Sequence, residues 1–187
     1  MYIEHLGPIY QKNFFKSTPT LDQAVRKLQR GEVLAFPTET VYGIGASIFN
    51  NSAVQRLYII KHKPKEQALP VYISNLNQIN FLAADIPQEF NILADKLLPA
   101  SITIILKKHS NISSPVTGSG KTIAIHLSPH PLVQRLIELT GCPLVVTSAN
   151  TLGKPRSIQA RHVLEDFNGR WTNGLWIRID YLISRRS

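Results

Sequence analysis

The sequence predicts an α/β fold, with helices layered on one sheet in a single domain. Three observations carry that prediction. Short β-branched apolar runs alternate with stretches whose apolar residues recur at helical spacing. The 187 residues are enough for one substantial core. No internal repeat, low-complexity tract or linker interrupts them, so residues 1–187 are expected to form one domain.

The elements follow in order. Thr20 is placed to cap a helix, with Gln23 completing a capping box. Leu21, Ala24, Val25 and Leu28 recur at helical spacing, and Gly31 ends the run. Residues 33–36 read as a strand cut by Pro37. Ser52 and Gln55 mark a second helix start, with Val54, Leu57, Tyr58 and Lys61 on neighbouring faces. Residues 69–74 read as a strand. Pro87 opens a helix that reaches Leu98 and stops at Pro99. Residues 102–107 and 122–127 are β-branched strands. Leu132–Leu139 is a helix closed by Gly141, residues 144–147 are a buried strand, and residues 157–167 are a last helix.

Composition narrows the function classes. Apolar content is 43% and charged content 18%, the balance of a globular chain. No apolar run reaches the roughly 18 residues of a membrane span. Met1-Tyr-Ile-Glu-His5 has neither a basic nor an apolar signal region, so it is not expected to be a secretory leader. The lone Cys142 cannot form an internal disulfide and suits a reducing compartment, in keeping with a cytoplasmic protein. His126 and His130 stand four apart, but Pro131 follows and no carboxylate or Cys lies nearby in sequence, so no metal site is expected. The net charge of +9 favours phosphate-bearing partners, nucleotide or RNA, though the cations are spread along the chain.

Three motifs carry chemistry. In Leu34-Ala-Phe-Pro-Thr-Glu-Thr-Val-Tyr-Gly-Ile-Gly-Ala46 an apolar strand gives way to a Pro/Gly loop that would hold hydroxyls at a sheet edge. Gly43 and Gly45 would allow close backbone approach or positive φ there. Pro143-Leu-Val-Val-Thr-Ser-Ala-Asn-Thr-Leu-Gly-Lys-Pro155 repeats the design with Ser148 and Asn150. Ile60-Lys-His-Lys-Pro64 puts two lysines at a helix end. Gly118-Ser-Gly-Lys-Thr122 imitates a P-loop, but Pro115 stands where its first glycine belongs and a strand follows instead of a helix. Residues 108–121 are instead expected to be a flexible polar loop of the kind that acts as a lid.

Together these motifs resemble the YrdC-like family of threonylcarbamoyl-AMP synthases, whose pattern is Pro-Thr-Glu-Thr-Val-Tyr-Gly, then Lys-x-Arg-Pro, then Ser-x-Asn. The resemblance runs from about residue 21 to 169. It implies a twisted mixed sheet with flanking helices around a basic cavity. It implies a nucleotidyltransferase that makes L-threonylcarbamoyladenylate from L-threonine, bicarbonate and ATP with Mg²⁺, for threonylcarbamoyladenosine modification of tRNA. The implied partners are tRNA or other RNA and downstream tRNA-modification proteins. Carried over by position, Thr40, Tyr72, His126 and Val146 would bind threonine. Lys61, Lys63, Thr122, Ser148 and Asn150 would bind the nucleotide.

Several positions depart from the family. Lys63 and His126 each stand where the family has arginine, so a bidentate fork is lost at both. In the family the arginine at 126 would pair the substrate carboxylate. Tyr72 sits where some members carry histidine, and Arg156 where members often have serine. Leu97-Leu-Pro-Ala-Ser-Ile-Thr103 replaces a Pro-Gly-Pro turn, and residues 170–187 match no family pattern. A competing reading is therefore a catalytically weakened RNA-binding protein of the same family. A carbamoyl-transfer maturation domain is another, without the Cys pairs and extra domains expected of one.

Overall fold

The computed structural model describes residues 19–97 and 100–167. The expectations for the chain start, for Leu98 and Pro99 and for the tail after Arg170 lie outside the described residues.

Seven strands form one sheet in the order β1-β2-β7-β3-β6-β5-β4. They are β1 (Leu34–Pro37), β2 (Tyr42–Ser47), β3 (Val71–Ile73), β4 (Ala83–Asp85), β5 (Thr103–Lys108), β6 (Thr122–Leu127) and β7 (Leu144–Ser148). Strands β3 and β6 run parallel and the other neighbours antiparallel, so the sheet is mixed, as expected. The helices are α1 (Pro19–Gln29), α2 (Asn51–Lys61), α3 (Ile79–Leu82), α4 (Gln88–Leu97), α5 (Ser114–Thr117), α6 (Pro131–Thr140) and α7 (Ala160–Phe167).

Alternation along each strand divides the apolar side chains between two cores. One face sends Ala35, Ile44, Val71, Ile125 and Val145 against Val54, Leu57 and Tyr58 of α2. The other sends Leu34, Phe36, Leu144 and Val146 against α1 and α6 through Leu28, Leu132 and Leu136. Those two helices cover only the β1–β7–β3 part of that face. Towards β5 and β6 the same face stays open: Ile105, opposite Ala124, is 67% exposed. This open half bounds the site.

Several local expectations need correction. Residues 42–47 form a strand, so Gly43 and Gly45 lie inside β2 and not in a loop. Their lack of a side chain serves close approach. A Cβ on Gly45 would lie 3.0 Å from the Val145 carbonyl oxygen and 3.1 Å from the Phe36 ring. The sequence signal misleads because glycines usually mark turns. The N-cap of α2 is Asn50 and not Ser52, since Asn50 Oδ1 accepts from the Ala53 N–H at 2.9 Å. Helix α1 opens at Pro19, so Thr20 falls in its first turn.

Residues 108–121 are no free lid. They contain α5, bury Ile112 and Val116, and accept the Tyr58 hydroxyl at the Pro115 carbonyl at 2.8 Å. The Leu69 N–H donates to Val116 O at 3.1 Å, which ties the segment to the approach of β3. Apolar anchors this sparse are hard to distinguish from loop residues in a polar stretch.

Candidate functional site

The β1–β2 hairpin turns through residues 38–41. The Thr38 hydroxyl donates to Val41 O at 2.6 Å and faces the Thr40 and Val41 N–H groups at 3.4 Å. A hydroxyl that satisfies its own turn fixes the loop without regular secondary structure. The turn presents Thr40 to solvent and aims Glu39 under the sheet face.

Glu39 is nearly buried, its side chain 12% exposed, and meets two groups from the end of β6. His126 Nε2 lies 2.9 Å from Glu39 Oε1, and the Ser128 hydroxyl donates to Oε2 at 2.7 Å. The other ring nitrogen, His126 Nδ1, lies 2.9 Å from the Ile102 carbonyl. Both ring nitrogens are thus engaged, one by a carboxylate and one by a backbone carbonyl. Burial pushes the Glu39 carboxyl up, but the hydrogen bonds from His126 and Ser128 outweigh it and hold the group below its ordinary value. Tyr72 stacks on the His126 ring at 4.4 Å, tilted 38°. Burial, with Glu39 nearby, pushes the Tyr72 phenol up to about 12, so it stays protonated.

Glu39, Tyr72 and His126 line a cavity of about 320 Å³ together with Thr38, Thr40, Thr103, Val146, Ser148 and Arg156. Hydroxyls dominate its wall, Val146 supplies an apolar floor, and Arg156 stands at its rim.

Beside Ser148 lies a second cluster. Lys61, the last residue of α2, is 4% exposed and reaches across to the end of β7. Its ammonium donates to Ser148 O at 2.7 Å, Ser148 Oγ at 3.3 Å and Asn150 Oδ1 at 3.1 Å, and also to Asn150 O. Burial, then repulsion from Lys63 and Arg156, lowers its pKa to about 8, against attraction from Asp166. Asn150 Nδ2 in turn donates to Lys154 O at 2.8 Å and Thr151 O at 3.2 Å. Asp166 on α7 takes the Thr151 N–H at 2.6 Å and Lys154 Nζ at 2.6 Å. The loop after β7 is thus stitched between α2 and α7.

The structure therefore brings Thr40, Tyr72, His126, Val146 and Ser148 into one cavity, with Lys61 and Asn150 bonded to or beside Ser148. Lys63 is half-buried, close enough to Lys61 to perturb it. Thr122 does not line the cavity. It lies on the same sheet face as His126, four residues earlier in β6 and so about 13 Å along the strand. Sequence reasoning missed Ser128, Thr38 and the engagement of Glu39. The i,i+2 spacing of His126 and Ser128 was the available signal. Among the described residues no cluster of three or more His, Cys, Asp or Glu could hold a metal ion.

A mixed sheet whose open half carries a cavity lined by hydroxyls, His126, Glu39 and Arg156, with the buried Lys61 ammonium bonded to Ser148 at its side, defines an α/β protein with a polar cavity of ligand size. The chain belongs to the Sua5/YciO/YrdC family, whose model, described as telomere recombination, matches residues 26–179. It is 38% identical over 143 residues to threonylcarbamoyl-AMP synthase of Pyrococcus abyssi, covering 76% of this chain and 42% of that protein. It is 39% identical over 153 residues to the Bacillus subtilis protein of the same name, covering 81% of this chain and 44% of that one. The chain thus spans less than half the length of these two relatives. The structure of P. abyssi Sua5 complexed with L-threonine superposes with a TM-score of 0.80 at 34% identity, covering 86% of this chain and 48% of that one.

Proposed function

We propose that this chain is a threonylcarbamoyl-AMP synthase. The observation that carries the reading is that Ser148 both lines the hydroxyl-rich cavity on the open sheet face and is bonded to the buried Lys61, which joins the cavity to the Lys61–Ser148–Asn150 cluster at the end of β7. That arrangement offers an amino-acid subsite and a phosphate subsite side by side. The threonine bound by the Pyrococcus relative supports the first assignment.

In this reading Thr40, Tyr72 and Val146 hold threonine, and His126 closes the wall behind it. Ser148 and Lys63 receive the phosphates, Lys61 and Asn150 hold Ser148 in place and Lys61 adds its charge to the subsite, and Thr122 lies where a nucleoside could extend along β6. The threonine amine takes up bicarbonate with loss of water to give a carbamate. A carbamate oxygen then attacks the α-phosphorus of ATP, the bond to the bridging oxygen of the β-phosphate breaks, and pyrophosphate leaves. Positioning does most of the work, since both partners are anions that must be held in line. The cavity also shields the labile carbamate from water.

Mg²⁺ enters with ATP, held by the phosphates. The nearby carboxylates suit that role poorly, because Glu39 is taken by His126 and Ser128, and Asp166 by Thr151 and Lys154. The net charge of +9 suits tRNA as the eventual acceptor, reached through a downstream transfer protein in the cytoplasm. Among the described residues no helix is long and apolar enough to cross a membrane.

The test is pyrophosphate release from MgATP. Release should require threonine and bicarbonate together and stop when either is left out. Nucleotide-independent, salt-sensitive RNA binding with no threonine-dependent release would favour the RNA-binding reading instead.

A further inference from the structure

We infer that Arg156 is the residue that recognises the carboxylate of the amino-acid ligand, a role the sequence pattern would give to position 126. The inference rests on the threonine reading of the cavity. Position 126 lines the cavity, but its imidazole is spent. Nε2 lies against Glu39 and Nδ1 against the Ile102 carbonyl, both at 2.9 Å. No ring N–H remains for a ligand. Glu39 adds a negative charge beside the ring, which disfavours a second carboxylate there.

The other cations divide clearly. Lys61 donates its protons to Ser148 and Asn150. Lys63 does not line the cavity. Arg156 does line it, is exposed, and makes no hydrogen bond or ion pair with the described residues. Its neighbour Ser157 is fixed, since the Ser157 hydroxyl donates to Ala149 O at 2.7 Å and Ser157 O accepts from Tyr42 N at 2.8 Å. The backbone that carries Arg156 is therefore tied to both β2 and the end of β7. A guanidinium at the rim, with no donor used by the described residues, matches a carboxylate bidentately. The Thr40 hydroxyl and the Val146 side chain share the cavity with it and suit the rest of a β-hydroxy amino acid.

Two ligands test the assignment by calorimetry on wild type, Arg156→Ala and Arg156→Lys. L-Threonine binding should weaken at least tenfold in R156A and partly recover in R156K. L-Threonine amide, which lacks the carboxylate, should bind wild type about as weakly as threonine binds R156A. It should lose little further affinity in the variant. ATP affinity, measured without threonine, should change less than threefold. Equal weakening of ATP would assign the guanidinium to phosphate and overturn the inference. Threonine binding unchanged in R156A would overturn it and leave the functional reading standing. Wild-type protein that takes up no threonine would overturn both.

Discussion

Lys61→Met should abolish synthesis and also destabilise the fold. The ammonium is the shared donor for Ser148 O, Ser148 Oγ, Asn150 O and Asn150 Oδ1. Methionine fills similar space but donates nothing, so buried acceptors lose their partner. Leaving such groups unsatisfied costs about 1–3 kcal/mol each, and relief of the buried charge returns part of that, so a net loss of about 2 kcal/mol is expected. The functional loss should be larger. Without the Lys61 ammonium the loop after β7 keeps only the backbone bond from Leu152 N–H to residue 61 O at 3.1 Å as its tie to α2, and Ser148 and Asn150 lose their orientation. Displacing preorganised donors at a phosphoryl-transfer site costs a hundredfold or more in rate, by analogy with loss of about 10²–10³ on removal of one oxyanion donor. Urea unfolding and the rate of pyrophosphate release measure the two effects separately. A stable variant with wild-type rate would show that the cluster is dispensable.

Glu39→Ala should release the wall of the proposed threonine subsite. The carboxylate joins His126 and Ser128, so its loss strands two buried donors at a cost of about 2–3 kcal/mol. Threonine binding should weaken while ATP binding holds, because the Lys61 cluster does not touch Glu39. The effect carries a pH signature. The folded pKa of Glu39 lies below its ordinary value of 4.5. A depressed pKa contributes stability that is present in full above the unfolded value and is lost as pH falls through the folded one. The gap in unfolding free energy between wild type and E39A should thus hold steady from about pH 7 to 5 and narrow below 4.5. Denaturant titrations across that range check it. A gap that stays constant into strong acid would mean that the carboxylate is not the stabilising form.

Much of this was legible in the sequence, for physical reasons that differ by element. Helix α6 and strand β6 were read correctly because Pro131, Gly141 and a β-branched run mark their limits. The Lys61 and Ser148–Asn150 segments were recognisable as motifs, and the structure brings them within hydrogen-bonding distance. Strand β2 was missed because its glycines answer to Val145 and Phe36 across the sheet, neighbours that local sequence does not reveal. Strand β4 and α5 are too short for any period to show. At the site, the histidine at 126 was legible as a departure, but its partners were not. Ile102 O comes from the approach to β5 and Glu39 from the β1–β2 turn, and only the folded sheet joins them. Arg156 was visible as an unusual residue, yet its place at the cavity rim depends on how the loop after β7 folds back to β2.

The most direct test of the central claim is to follow the carbon of bicarbonate. Wild-type protein is incubated with ¹³C-bicarbonate, L-threonine and MgATP, and the nucleotide products are separated and weighed by mass spectrometry. Threonylcarbamoyl-AMP carrying the label, formed in step with pyrophosphate and missing from the Lys61→Met variant, is the result the account predicts. AMP or ADP alone, with no threonine-dependent labelled adenylate, would contradict it.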